Sequence, residues 1–352
     1  MGKVYSLQNK ITFFLTRLTG MLCVFACKSE HKKNPSAKDE PSFIENLQKL
    51  PDSIKIKGIV IKNLFKSQIL AHKGKVYDSS MIIDKVYRPH QKLWDNCYAM
   101  ILGDGNAPKF NTESGMIAWN DTLYLRNKDF FDDQATTLLE MDFDSVIDKK
   151  LAEFNKVVPF EVNSTISILF APIPVLQFGG CTNDQFAIEL NNDNQDIGYT
   201  LNIGLPHELN HMAYDPLRAK DPRKNDALRR TTDEGFACYF TWVFLDKEIS
   251  KHEAVEDMSQ EDWGWYLENE KDMFIKLKPY FSDQTGDNPL FRNEKYKLFP
   301  DAPKTLFYWM GFRIIENYVN THGEDSWRDI YKMDVGKVLE ESKYEEFIDG
   351  LD

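Results

Sequence analysis

A chain of 352 residues is long enough for one large domain or two ordinary ones with a substantial core. Aromatic residues make up 13% of it, which excludes a disordered chain, and no uncharged apolar run reaches the roughly 18 residues that a membrane-spanning helix needs. The net charge of -12 argues against a nucleic-acid partner, because an acidic surface repels phosphate backbones.

The N-terminus has the order of charges of an export signal. Lys3, Lys10 and Arg17 precede an apolar stretch over residues 18–26, and no acid occurs before residue 30. The stretch ends Val-Phe-Ala-Cys at Cys27, which resembles a bacterial lipobox. We expect a signal peptide over residues 1–27 and a flexible tether over residues 28–41. A lipid on Cys27 would hold the exported protein to a membrane of the cell envelope, in the periplasm or at the outer membrane. The alternative is a plain cleaved signal.

The five cysteines are sparse and show no CxxC spacing. This pattern argues against a thiolate zinc site or a redox motif. At most one disulfide can form among the three cysteines beyond residue 27, which are Cys97, Cys181 and Cys238.

Hydrophobic periodicity predicts an α+β chain, with a small sheet followed by a mostly helical C-terminal half. Residues 42–140 form an N-terminal region whose fold the pattern does not decide, and the main domain is predicted over residues 141–352. The predicted strands cover residues 53–64, 164–171 and 185–190, and the predicted helices cover residues 42–50, 143–158, 199–212, 231–245, 263–277 and 305–319.

Residues 207–211 read His-Glu-Leu-Asn-His, and this pentamer carries the clearest chemical signal. On a helix His207 and His211 lie one turn apart on one face, so both imidazoles can bind one zinc ion. Glu208 lies about 100° further round, where it can act as the base for a zinc-bound water. The alternative is an ordinary exposed helix turn. The apolar residues 199–205 argue against it, because buried histidines need partners. Pro206 suits the first turn of a helix that begins near Asn202.

A zinc site of this kind needs a third protein ligand, and Glu234 is the best candidate. It lies in the predicted first turn of the next helix, with Thr231 or Thr232 as the N-cap. Asp233 and Asp215 are the alternatives, and Asp233 could instead orient a ligand histidine. A further alternative is that Asp233 and Glu234 only complement the helix dipole.

The pentamer followed by Glu-Gly-Phe-Ala at residues 234–237 resembles the gluzincin branch of the zincin metallopeptidases. The segment 303–318 is similar to predicted zinc protease lipoproteins of Bacteroidota, and the whole resemblance covers residues 143–348. It implies a zincin-like fold, a small mixed sheet whose edge strand lies over the active-site helix. It also implies an endopeptidase that holds one Zn²⁺ on His207, His211 and Glu234, uses Glu208 as general base and cleaves a peptide or protein substrate.

A hydrolase of this family also needs a donor for the oxyanion, and Tyr308 is our choice among Tyr308, Arg313 and Tyr318. Core aromatic residues and a surface arginine are the competing interpretation of these three residues. Two other functions remain open. The first is a non-catalytic zinc-containing envelope lipoprotein that acts as a binding or assembly factor, although a structural site needs no base such as Glu208. The second is a zinc hydrolase of a non-peptide substrate. The sequence does not determine the substrate or the oligomeric state.

Overall fold

The computed structural model describes residues 42–182, 184–192 and 196–351, apart from the side chain of Cys181. The predicted signal peptide and tether over residues 1–41 lie outside the described residues. The described residues belong to one compact unit. Within that part of the chain, no helix combines the length and the apolar character that crossing a membrane requires.

The segment before the predicted zinc helix contains a mixed five-stranded sheet with strand order β1-β2-β3-β5-β4. Its inner pairs β2–β3 and β3–β5 are parallel, and its outer pairs β1–β2 and β4–β5 are antiparallel. The strands are β1 Ser53–Ile56, β2 Ile59–Asn63, β3 Ser164–Leu169, β4 Phe178–Thr182 and β5 Gln185–Glu189. The single strand predicted over residues 53–64 is therefore a hairpin. Its turn contains Lys57 at φ 52°.

The helices before β3 contribute to two cores, and the shorter ones help to build an aromatic core around Trp94, Tyr98, Phe110 and Trp119. They are α1 Phe43–Lys49, α2 Leu64–Leu70, α3 Ser79–Met81, α4 Gln91–Leu93, α5 Ala99–Leu102, α6 Ala107–Phe110, α7 Glu113–Arg126, α8 Lys128–Glu140 and α9 Phe143–Val157. π turns over Ile82–Tyr87 and Trp94–Tyr98 and a 3-10 turn over Arg88–His90 connect the short members of this group.

The C-terminal half is helical, so the α+β class with a small mixed sheet and a helical second half is confirmed. Its helices are α10 Ile197–Tyr199, α11 Leu205–Arg218, α12 Ala227–Phe244, α13 Lys251–Ala254, α14 Gln260–Glu268, α15 Glu270–Leu277, α16 Asn293–Tyr296, α17 Leu306–His322, α18 Val335–Glu341 and α19 Tyr344–Asp349. A π turn over Thr200–Gly204 and 3-10 turns over Lys278–Tyr280 and Ser326–Lys332 complete this half.

The two helices of the predicted zinc site begin at other residues than expected. α11 begins at Leu205 rather than near Asn202, because a π turn precedes it, and Pro206 lies in its first turn as predicted. α12 begins at Ala227, so the predicted N-caps Thr231 and Thr232 are wrong. Both threonines are buried inside the helix. The helix extends further because Ala227 and Leu228 pack in the core and add an N-terminal turn.

Helices α12 and α17 touch backbone to backbone where Gly235 meets Gly311. A Cβ atom on Gly235 would lie 2.0 Å from the carbonyl carbon of Gly311, and one on Gly311 would lie 1.9 Å from the carbonyl oxygen of Thr231. Real Cβ atoms do not approach other atoms so closely, so both positions require glycine. This contact fixes how α17 lies on α12.

We predict that Gly311→Ala destabilises the protein by about 2–3 kcal/mol, because the added methyl group must push two packed backbones apart. The measurement is the free energy of unfolding in urea. Gly264→Ala is the matched control, since nothing lies within 4 Å of its Cβ position in α14 and alanine is the better helix former. Equal stability of Gly311→Ala and wild type would contradict the described crossing.

A buried carboxylate ties the first aromatic core to the sheet. Glu189, at the end of β5, is fully buried; the Tyr98 hydroxyl donates to its Oε1 at 2.7 Å and the Leu176 N–H donates to its Oε2 at 2.8 Å. Burial raises the pKa of Glu189 to about 7, although these hydrogen bonds oppose the shift. The folded protein therefore binds a proton here that the unfolded chain releases near pH 4.5.

Because the folded pKa is the higher one, the contribution of Glu189 to stability is lost as the pH rises from about 4.5 to about 7. We expect Glu189→Gln to remove this loss. Relative to wild type, the variant should gain on the order of 2 kcal/mol of unfolding free energy between pH 5 and pH 7.5. Urea unfolding of both proteins at the two pH values measures the difference. Parallel pH profiles would disprove the elevated pKa.

Candidate metal centre

His207, His211 and Glu234 meet between α11 and α12. The Nε2 atoms of the two histidines are 3.1 Å apart, and Oε2 of Glu234 lies 3.2 Å from Nε2 of His211 and 3.5 Å from Nε2 of His207. Their side chains are only 11%, 12% and 20% exposed. Glu234 follows His211 by 23 residues in the sequence, and the structure brings its carboxylate together with the two imidazoles.

The spacing of these three donor atoms fits one zinc ion. Ligands at about 2.0–2.1 Å in a tetrahedron are separated from each other by roughly 3.3 Å. The distances of 3.1, 3.2 and 3.5 Å lie close to that value. Burial disfavours a charged His211, but Glu234 outweighs it and raises the pKa of His211 to about 10. Glu234 thus favours a proton on His211, and a metal ion that bound here would have to displace it.

The alternative ligands Asp233 and Asp215 are held by arginines instead. Asp233 pairs with Nε of Arg218 at 3.3 Å and with Nε of Arg229 at 2.6 Å. Asp215 pairs with Nη2 of Arg229 at 3.1 Å. Neither aspartate belongs to the group of ligand atoms that lie within 4.8 Å of one another around the two histidines. Of these three candidates, Glu234 is therefore the carboxylate beside both imidazoles.

Glu208 and Tyr308, predicted as catalytic residues, both lie near the histidines. Glu208 is 7% exposed, and a Cβ atom on Gly179 of the edge strand β4 would lie 3.9 Å from its Oε1. Burial, with a smaller contribution from repulsion by Glu234, raises the pKa of Glu208 to about 7. The ring of Tyr308 lies 6.3 Å from that of His207.

The two alternatives to Tyr308 are engaged elsewhere. Arg313 pairs with Glu270 at 2.8 Å, and Tyr318 packs on His322 with their rings 4.5 Å apart. Of the three candidates, Tyr308 is therefore the one whose side chain lies beside the histidines.

Two further residues at the centre, Cys238 and Glu256, were missed in the sequence. Sγ of Cys238 lies 3.9 Å from Nδ1 of His207, and a carboxylate oxygen of Glu256 lies within 4.8 Å of both residues' ligand atoms. Cys238 follows Glu234 by four residues, so helical periodicity could have placed both on one face. The lack of a CxxC pair had argued against Cys238 as a metal ligand. Glu256 lies in a turn and carries no sequence signal.

Part of the chain matches a known protein family. Residues 206–346, less than half of the chain, match the family model described as gliding motility protein GldB, a lipoprotein family. No curated protein and no solved structure matches the chain.

This match corrects the identification as a gluzincin and the prediction of a zinc peptidase. The matching segment contains the whole pentamer and Glu234, and the model that it matches is that of a gliding motility family rather than of a peptidase family. A helix with two histidines one turn apart forms a set of metal ligands, and such a set alone does not define a reaction. The prediction therefore mistook a set of candidate metal ligands for the active site of an enzyme. The roles of Glu208 and Tyr308 in hydrolysis, and a peptide substrate, gain no support from this match.

Proposed function

We propose that the chain is a non-catalytic lipoprotein of the cell envelope that serves gliding motility as a binding or assembly factor and holds one zinc ion on His207, His211 and Glu234. The observation that carries this proposal is the extent of the family match. It begins at Pro206, directly before the pentamer, and contains all three ligands. The metal centre is thus part of the segment that resembles the gliding motility family.

In this proposal the zinc ion serves as a clamp between helices. The ligands connect α11 with α12, and α12 in turn carries α17 through the contact of Gly235 with Gly311. A structural metal ion adds its binding free energy to folding, because the unfolded chain has no preformed site. The ion would therefore hold these helices in the arrangement to which a partner protein binds.

The N-terminus supplies the attachment in the same proposal. A lipid on Cys27 and a polar tether over residues 28–41 would hold the compact unit at a membrane surface. A tether of this length leaves the unit free to reach a neighbouring envelope protein. The partner is therefore a component of the envelope rather than a soluble substrate.

The zinc ligands are tested by affinity. We expect Glu234→Ala to weaken zinc binding by at least about 100-fold, since losing a ligand costs no less than losing one of its supporting hydrogen bonds. Competition against a zinc-chelating dye measures the dissociation constant. Asp215→Asn is the matched control, because Asp215 lies on α11 near the histidines but pairs with Arg229. Equal affinities of wild type and Glu234→Ala would rule out the proposed ligand set.

The cellular role is tested by gene replacement in the host bacterium. We expect deletion of the gene to abolish spreading of the cells over a surface. Cys27→Ala should do the same while moving the protein from the membrane to the soluble fraction. Asp215→Asn should restore normal spreading. Normal spreading of the deletion strain would refute the motility role, and a membrane-bound Cys27→Ala protein would refute the lipid anchor.

A further inference from the structure

His207 has two ring nitrogens, and each faces a different group of potential ligands. Nε2 lies 3.1 Å from His211 and 3.5 Å from Glu234. Nδ1 faces the opposite way, with Sγ of Cys238 at 3.9 Å. The three residues His207, Cys238 and Glu256 each offer one ligand atom, and these three atoms lie within 4.8 Å of one another. The imidazole thus lies between two ligand sets.

We propose that His207, Cys238 and Glu256 form a second, thiolate-containing site for a transition-metal ion such as zinc, which alternates with the first site because both use His207. This inference goes beyond the proposed function. The second set does not depend on the role of the protein in motility.

The donor atoms suit this class of ion. A zinc ion bound at about 2.1 Å to nitrogen and 2.3 Å to sulfur separates the two donors by roughly 3.6 Å, close to the 3.9 Å between Nδ1 of His207 and Sγ of Cys238. Thiolate and imidazole favour zinc, cobalt and copper over magnesium or calcium. Cys238 is a free, fully buried thiol. Its helix therefore presents a reduced sulfur to the site.

The backbone holds Glu256 at the open edge of this set. Glu256 and Asp257 are consecutive non-glycine residues in the left-handed region, at φ 56° and 51°. The turn is fixed by Met258, whose N–H donates to the carbonyl of His252 at 3.0 Å and whose carbonyl lies 2.7 Å from Nδ1 of the same histidine. The side chains of Val255 and Met258 are buried on either side of the turn, whereas Glu256 is exposed. An ion can therefore reach the buried sulfur from solvent at this edge.

Sharing of the imidazole makes the two sites alternatives. A neutral imidazole has one lone pair, on the nitrogen that carries no proton. When Nε2 binds an ion beside His211 and Glu234, Nδ1 keeps its proton and points it at Cys238. When Nδ1 binds an ion beside Cys238, Nε2 carries the proton. One ion per chain therefore occupies one position or the other, and damage to the first set should move it to the second.

Cobalt titration distinguishes the two sets, because a thiolate ligand gives Co²⁺ a charge-transfer band that nitrogen and oxygen ligands do not. The full-length chain is purified in detergent, stripped with chelator, kept reduced and titrated with Co²⁺. Wild type should bind one equivalent without the thiolate band. Glu234→Ala should show the band at one equivalent, and so should His211→Ala if the first variant folds poorly. Adding Cys238→Ser to either variant should remove the band and weaken cobalt binding at least tenfold.

A matched pair of substitutions tests the third ligand. In the Glu234→Ala background, Glu256→Gln should weaken cobalt binding, and Asp257→Asn in the same turn should leave it unchanged. Absence of the band from Glu234→Ala and His211→Ala, or its persistence after Cys238→Ser, would overturn the second site. A thiolate band in wild type at the first equivalent would support the second site while contradicting the zinc ligands of the proposed function.

Discussion

The contact between the backbones of Gly235 and Gly311 fixes how two of the helices around the candidate metal centre cross. Glu234 directly precedes one glycine, and Tyr308 lies one helical turn before the other. When the two helices touch at this point, the carboxylate and the phenol ring both arrive beside His207. A Cβ atom at either glycine would collide with the opposite backbone, and separating α17 from α12 would change the position of Tyr308 relative to Glu234. Part of the geometry of the site therefore follows from a packing constraint outside it.

Local sequence patterns predicted what local physics determines. The 3.6-residue period found the helices, and the spacing of His207 and His211 placed both on one face. The α12 start was missed because Thr231 is a good N-cap by type, whereas burial of Ala227 and Leu228 extends the helix past it. Contacts distant in sequence had no comparable signal. The hairpin turn, the arginine partners of the aspartates and the approach of the Val255–Met258 turn all follow from tertiary packing, which periodicity does not encode.

The short motif predicts a set of metal ligands, but it does not predict a reaction. Two histidines one turn apart and a glutamate on a neighbouring helix specify a set of ligands, and the structure brings those three side chains together. Hydrolysis further requires a substrate held against the metal and donors aimed at the developing oxyanion, and these features are spread over several elements. A short pentamer contains no information about them. The family match concerns the surrounding segment, and for that reason it carries more weight for function than the pentamer does.

Charge balance explains why this centre suits a cation whatever the protein does. Glu208 and Glu234 lie with two imidazoles in a largely buried space, and Glu256 lies at its exposed edge. Burial, together with repulsion from Glu234 and Glu256, raises the pKa of Glu208. Such a group of acids needs positive charge nearby. Without metal, His211 supplies it by holding a proton against Glu234. A divalent ion on the proposed ligands would replace this proton and would link α11 to α12 through directed bonds. Metal binding and the packing of the two helices would then be coupled, which is the property that a structural or assembly role requires.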